Sequence, residues 1–356
     1  MSQAEYLRIF CGLLGTAAIA FAATPFVRRL AIRVKALDIP KDERRMHKKP
    51  IPLLGGLALF TAFIAAYLIL FPITSENLFF LLGALVIVAV GTLDDIRPLS
   101  PAIKALGQVV ACLFPIFGGM QIDYIGWFGG EYLGFHPWIS VLLTLVWMFA
   151  IINAINLVDG LDGLAVGLSA ISAIAMLVIS IMIGNPITAV TSALLAGACL
   201  GFIPYNINPA KIFMGDAGAL FLGYVLACLS VQGMFKAYTV ISLFVPLCIF
   251  AVPLFDTVTS FLRRLLKGKN PFQGDKQHLH HKLILKGLTQ TQSVLVLYSA
   301  SAIIGLAAVV IAEGSLLVGF VLMLVAIAVS FALTGIFSRV DKETSKADAT
   351  QETPHE

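Results

Sequence analysis

Charge is scarce in this chain. Asp, Glu, Lys and Arg make up 12% of its 356 residues, against about a quarter in soluble domains. With 59% hydrophobic residues and a mean hydropathy of +0.93, that shortage excludes an ordinary soluble enzyme. Cysteine is also rare: Cys11, Cys112, Cys199, Cys228 and Cys248 lie singly in apolar stretches, without CxxC or paired spacing. They read as buried apolar side chains and not as disulfides or a thiolate metal site. No internal repeat is visible, and the loop 120–136 holds no Lys or Arg. The first apolar stretch lacks a small-residue cleavage site followed by a polar chain, so it reads as a retained span and not a signal peptide.

Long apolar runs take the place of charge. A bilayer-crossing helix needs about 20 apolar residues. Eleven candidates fall near 7–27, 53–72, 78–92, 104–119, 138–156, 164–184, 187–204, 217–233, 238–262, 293–312 and 315–337. The expected fold class is all-α: a polytopic integral membrane protein with about eleven transmembrane helices. It forms a single domain over 1–338, followed by a polar tail over 339–356 that is expected to be disordered. Basic residues set the orientation. Segment 28–50 holds nine Lys or Arg and 263–286 holds seven; with eleven spans, one side collects 22 of the 24. The positive-inside rule makes that side cytoplasmic, with the N-terminus outside and the C-terminus inside.

Five polar clusters share that side: His47 with its basic neighbours, Asp94-Asp95, the series Asn153, Asn156, Asp159 and Asp162, the stretch NINPAKIFMGDAG at 206–218, and DKQHLHH at 275–281. Scattered polar loops would be ordinary; five on one face imply one site built from many loops. Adjacent aspartates near lipid repel each other and are costly to desolvate without a cation. Mg²⁺ is commonly held by one or two carboxylates plus substrate phosphates. The alternative for Asp94-Asp95 is a solvated turn capping the next helix. For Asp216 it is an N-cap, although Gly215 and Gly218 would let backbone approach a ligand and the helix start would favour phosphate.

Steps of three fall about 60° short of a full helical turn, so Asn153, Asn156 and Asp159 can edge one cavity. Gly160 and Gly163 would break the helix there. His278, His280 and His281, flanked by Lys276, Lys282 and Arg263-Arg264, read as a phosphate-binding loop better than as a zinc site. Anionic lipid headgroups are the competing partner.

In this order among these spans, LDD, NAINLVDGLDGLA, NPAKIFMGDAG and HLHH resemble the polyprenyl-phosphate N-acetylhexosamine-1-phosphate transferases, over about residues 24–290. Members move a sugar 1-phosphate from a UDP-sugar to undecaprenyl phosphate, release UMP, and start teichoic acid, O-antigen or peptidoglycan lipid intermediates. Leu279 interrupts the histidine run typical of the muramyl-pentapeptide branch. The resemblance therefore favours UDP-N-acetylglucosamine as donor, with another UDP-N-acetylhexosamine or UDP-N-acetylmuramoyl-pentapeptide as alternatives.

Carried onto this sequence, the resemblance implies that Asp216 binds magnesium, with Asp95 beside it, and that Asp94, Asp95 and Asp159 are catalytic. Lys104 then neutralises phosphate charge, and Asn156 joins Asp159 in a polar floor. Leu161, Asp162, Asn206 and Phe213 match uridine positions. His278, His280 and His281 cover the donor's phosphates and sugar, and His47 matches a substrate position. Ala219 departs from the serine that many relatives carry near this turn. The implied cofactor is Mg²⁺, or Mn²⁺ in its place. The implied partners are undecaprenyl phosphate, UDP-N-acetylglucosamine and the lipid bilayer, with a homodimer left open and no nucleic acid.

Phosphoryl transfer needs positioning and charge stabilisation above all. Direct attack of the lipid phosphate on the donor β-phosphate, with Asp94 taking any residual proton, is the expected route. A two-step route through an aspartyl phosphate is the alternative. An ion-coupled transporter is the rival class, because intramembrane carboxylates and broken helices also mark transport pathways.

Overall fold

The computed structural model describes residues 1–39, 50–126, 132–234, 241–266 and 278–351. His47 and Lys276 lie outside the described residues. Among these residues thirteen α-helices follow one another: α1 Gln3–Arg33, α2 Gly55–Leu70, α3 Ser75–Ile96, α4 Pro101–Phe117, α5 Pro137–Val158, α6 Leu164–Met182, α7 Pro186–Asn206, α8 Gly215–Leu229, α9 Ile241–Ile249, α10 Ala251–Leu266, α11 Leu279–Leu285, α12 Gln290–Ala312 and α13 Leu316–Gln351. Two short antiparallel ladders accompany them, β1 Leu37–Asp38 with β2 Ile51–Pro52 and β3 Tyr124–Gly126 with β4 Tyr132–Gly134.

The helix starts are written locally. Ser2 and Thr289 form capping boxes with Glu5 and Gln292, while Ser100 and Asn185 cap helices that open on Pro101 and Pro186. These side chains satisfy backbone N–H groups that have no partner inside the helix. Among the described residues eight helices are long and apolar enough to cross a membrane, and α2 and α4 are shorter apolar helices. The chain is an all-α, multi-pass membrane protein. The candidate span 238–262 is not one rod: α9 ends at Ile249 and α10 begins at Ala251. Pro253 supplies the reason, since it has no N–H for the carbonyl four residues back.

The last helix, α13, runs on to Gln351. Its residues up to 351 include no Gly or Pro beyond Gly335, which leaves nothing there to break a helix.

At the centre stands α8, buried at every residue from Ala217 to Leu229. A helix apolar on all sides belongs in the middle of a bundle, and α2, α3 and α5 pack around it. Tyr224 Oη donates to the Phe80 carbonyl at 2.8 Å, so its one polar atom is satisfied. Helix α7 lies along α1 through Gly197 and Gly201. A Cβ at these glycines would sit 2.3 and 2.1 Å from the carbonyl oxygens of Leu13 and Ala17. This small-xxx-small spacing lets two membrane helices touch backbone to backbone.

Helix α10 reverses the usual soluble pattern. Asp256 and Ser260 face inward and are buried, while Phe255, Val258, Leu262 and Leu266 are exposed. Such a face suits lipid outside and polar partners inside.

Candidate active site

The polar loops meet in one cavity of about 840 Å³. Its wall is made by Asp94 and Asp95 at the end of α3, Asp159, Leu161 and Asp162 after α5, Asn206 at the end of α7, Phe213 between α7 and α8, Asp216 on α8, and His281 on α11. Four of the five sequence clusters are therefore brought together; the fifth, around His47, lies outside the described residues. Lys35, Asp38 and Gln290 also line the wall and were not anticipated.

Helix α8 begins under the control of α3. Asp95 Oδ1 accepts the Asp216 N–H at 2.8 Å and Asp95 Oδ2 accepts the Ala217 N–H at 3.1 Å. Gly215, at φ +70°, leaves room for that carboxylate; a Cβ there would lie 2.5 Å from Asp95 Oδ2. The helix start expected to receive phosphate is thus occupied by a carboxylate of the protein itself. Asp95, expected beside a metal, here accepts the backbone N–H groups that open α8 and so braces Asp216. Gly218 is held in close packing: a Cβ on Gly56 would fall 2.0 Å from the Gly218 nitrogen.

Asp94, Lys104 and Asp216 form the charged centre. The Lys104 ammonium stands 3.0 Å from Asp94 Oδ2 and 2.7 Å from Asp216 Oδ1. Asn156 donates to the same Asp216 oxygen at 2.6 Å, and Asp94 Oδ1 accepts the Leu99 N–H at 2.6 Å. One cation between two carboxylates offsets part of their mutual repulsion.

The remaining members of the Asn/Asp series diverge. Asn153 turns to α4, donating to Gln108 Oε1 at 2.7 Å, so it does not edge the cavity. Asp159 lies just past the end of α5. Its carboxyl is pushed up to about 8, by burial first and then by the negative charge of Asp216, Asp95 and Asp162. Asp162 accepts the Ala210 N–H at 3.0 Å and Asn206 donates to the Ile212 carbonyl at 3.0 Å, so both shape the loop that carries Phe213. That loop is braced from the other side. The Phe213 N–H donates to the Pro52 carbonyl at 2.8 Å, while the Gly55 and Gly56 N–H groups donate to the Phe213 and Met214 carbonyls at 3.0 and 2.8 Å. The IPLLGG stretch thus supports the cavity floor.

The three histidines do not share one environment. His278 and His280 are buried, and only His281 lines the cavity. His278 Nδ1 lies 3.0 Å from Asp256 Oδ2, and Asp256 Oδ1 accepts the Leu279 N–H at 2.8 Å. The His280 ring packs on Gly160, where a Cβ would come 2.4 Å from Nε2. Burial and the neighbouring His281 push His280 down to about 4, which favours the neutral ring near pH 7. Asp256 is the residue that the sequence reading missed. A lone carboxylate inside a candidate span was the available signal, because such residues are functional or paired by default.

Among the described residues no three His, Cys, Asp or Glu side chains are grouped to hold a metal ion by themselves. The oxygens present do fit a hard divalent cation whose shell is completed by substrate phosphates. Asp159 is the telling observation: it takes no side-chain hydrogen bond or ion pair among the described residues, lines the cavity, and is discouraged from ionising by its acidic neighbours. A cation would relieve that crowding.

Residues 77–234 match glycosyl transferase family 4. Over 320 residues the chain is 36% identical to the probable undecaprenyl-phosphate N-acetylglucosaminyl 1-phosphate transferase of Bacillus subtilis, spanning 89% of this chain and 88% of the relative. It is 36% identical over 315 residues to the decaprenyl-phosphate N-acetylglucosaminephosphotransferase of Mycolicibacterium smegmatis, spanning 80% and 77%. To the undecaprenyl-phosphate alpha-N-acetylglucosaminyl 1-phosphate transferase of Escherichia coli K12 it is 33% identical over 316 residues, spanning 87% and 85%. Similarity over nearly the whole length, together with a cavity that gathers the expected motifs, makes this chain a glycosyl-1-phosphate transferase of the polyprenyl-phosphate N-acetylhexosamine-1-phosphate transferase family.

Proposed function

We propose that the protein transfers N-acetylglucosamine 1-phosphate from UDP-N-acetylglucosamine to undecaprenyl phosphate, releasing UMP and starting a cell-wall or surface polysaccharide of teichoic acid or O-antigen type. The reaction takes place at the cytoplasmic face of the bacterial inner membrane. The eleven-span count, the outside N-terminus and the cytoplasmic C-terminus belong to the same reading, which rests on the one-sided distribution of Lys and Arg. The observation that carries the chemistry is the ion-paired centre in which Lys104 joins Asp94 and Asp216, two carboxylates of the cavity wall.

In this reading an oxygen of the lipid phosphate attacks the donor β-phosphorus. The bond from that phosphorus to the bridging oxygen breaks, and the electron pair leaves with UMP. A phosphomonoester has a second pKa of about 6, so the acceptor arrives mostly as the dianion and needs little help from a base. Asp94, held by Lys104 and the Leu99 amide, takes any residual proton. Lys104 offsets the charge that develops on the transferred group. Asp216, with Asp159 nearby, would hold Mg²⁺ or Mn²⁺ on the donor diphosphate, and the ion would supply further charge neutralisation there. Phe213, Leu161, Asp162 and Asn206 form the nucleoside side of the cavity, and His281 closes over the phosphates and sugar.

The test is direct. Purified protein is mixed with undecaprenyl phosphate, Mg²⁺ and one UDP-sugar at a time, and UMP is measured. Release of UMP with UDP-N-acetylglucosamine in preference to other UDP-N-acetylhexosamines and UDP-N-acetylmuramoyl-pentapeptide is expected. Preference for another donor would overturn the sugar assignment, and no UMP with any donor would overturn the reaction. A phosphorylated aspartate trapped with UDP-sugar alone would replace direct attack by the two-step route.

A further inference from the structure

We infer that Asp256 is a positioning residue for the donor site: through His278 and the Leu279 amide, it anchors the histidine helix that places His281 in the cavity. This rests on the proposed function only in naming what the cavity binds. Asp256 itself lines no part of the cavity, and no motif of the sequence marks it.

The geometry runs in one direction. Asp256 and His278 are both nearly inaccessible, at 3% and 5% exposure. Each Asp256 oxygen is used, Oδ2 toward His278 Nδ1 at 3.0 Å and Oδ1 by the Leu279 N–H at 2.8 Å. The first contact fixes the imidazole, because a carboxylate partner demands a proton on Nδ1. The second satisfies an N–H at the start of α11 that the helix cannot satisfy itself. Ser260, one turn along α10, lies 3.4 Å from the same His278 nitrogen and accepts from Arg263 at 3.0 Å.

From this anchor the rings follow in series. His280 is parallel to His278 within 2°, with centroids 5.8 Å apart, and the His281 ring is 4.2 Å from that of His280. On another side of α11, Leu283 joins the apolar cluster of Leu161, Leu164 and Leu297. Apolar burial is non-directional, so it keeps α11 close without setting its rotation. The Asp256 contacts set it.

Asp256→Ala, His278→Ala and the double variant are made in the full chain and purified in detergent. Hydrogen exchange over residues 278–289 and calorimetric affinity for UDP are measured on each, with UMP release by the wild type as the control for the reaction. Faster exchange in 278–289 is expected in Asp256→Ala, with 215–229 unchanged. UDP affinity is expected to fall at least tenfold in each single variant and no further in the double variant, while the KM for undecaprenyl phosphate stays within twofold. If Asp256→Ala fails to fold, Asp256→Asn is used. It keeps one acceptor for Leu279 but presents no second oxygen to His278, and the same losses are expected at smaller size. Unchanged exchange in 278–289, unchanged UDP affinity, or losses that simply multiply in the double variant would each overturn the anchor. A wild type that releases no UMP would refute the transferase reading and leave exchange to decide the anchor.

Discussion

The Asp95 carboxylate on α3 receives the backbone N–H groups of Asp216 and Ala217, 121 and 122 positions later in the chain. Two helices are thereby locked at the point where the charged centre is built. Asp94 and Asp95 are neighbours in sequence with different work: Asp94 faces Lys104 and Asp95 faces backbone.

Asp95→Asn should lower stability as well as activity. The amide offers one acceptor where the carboxylate offers two, leaving a buried N–H without a partner, at a cost of about 1–3 kcal/mol. Thermal melting in detergent should drop measurably and UMP release should fall at least tenfold. Lost activity with wild-type melting would return Asp95 to a purely chemical role.

Asp216→Asn should behave in the opposite way. The side chain keeps its size and can still accept from Asn156, but loses the charge that faces Lys104 and that the proposed divalent cation would need. Near-complete loss of UMP release with melting close to wild type is expected. Full activity at low Mg²⁺ would reduce Asp216 to a helix-start residue.

Gly160→Ala tests the seat of His280. The added methyl would fall 2.4 Å from His280 Nε2, which real atoms do not tolerate, so the His280 ring or the helix that carries it must shift. UDP affinity should fall by about tenfold, comparable to losing one hydrogen bond to a charged group. Unchanged affinity would show that the loop has freedom to spare.

His280 also sets a slope of stability against pH. Its folded value is pushed down to about 4, whereas an unfolded histidine titrates near 6.5. The unfolded chain therefore binds the proton first. The contribution is fully present above about pH 6.5 and is lost as pH falls toward 4. Asp159, pushed up to about 8, acts in the other direction, but it is common to wild type and variant. Melting followed from pH 7.5 to 5 should show His280→Gln losing less stability than the wild type. Parallel curves would mean that His280 keeps its proton in the fold.

Orientation is tested by labelling. A cysteine placed in the 120–136 loop should react with an impermeant reagent from outside, while one near residue 273 should not. Reaction of both from outside would separate the basic loops from the cytoplasmic face.

The sequence by itself determined the membrane class, the helix starts and the polar clusters that line one cavity. These are short-range or compositional matters: apolar runs choose lipid, and caps such as Ser100 and Asn185 act within a turn of themselves. Within the NAINLVDGLDG stretch, spacing placed Asn153, Asn156 and Asp159 near one another, but it could not say which neighbour each would meet. Only the tertiary structure turned Asn153 to Gln108 and Asn156 to Asp216. It alone filled the start of α8 with Asp95, split 238–262 at Phe250, and set Asp256 on α10 against His278. The physical reason is shared by all of these. A buried polar atom must find its partner across helix interfaces, and which atoms face each other there depends on packing distances and rotations that no local pattern encodes.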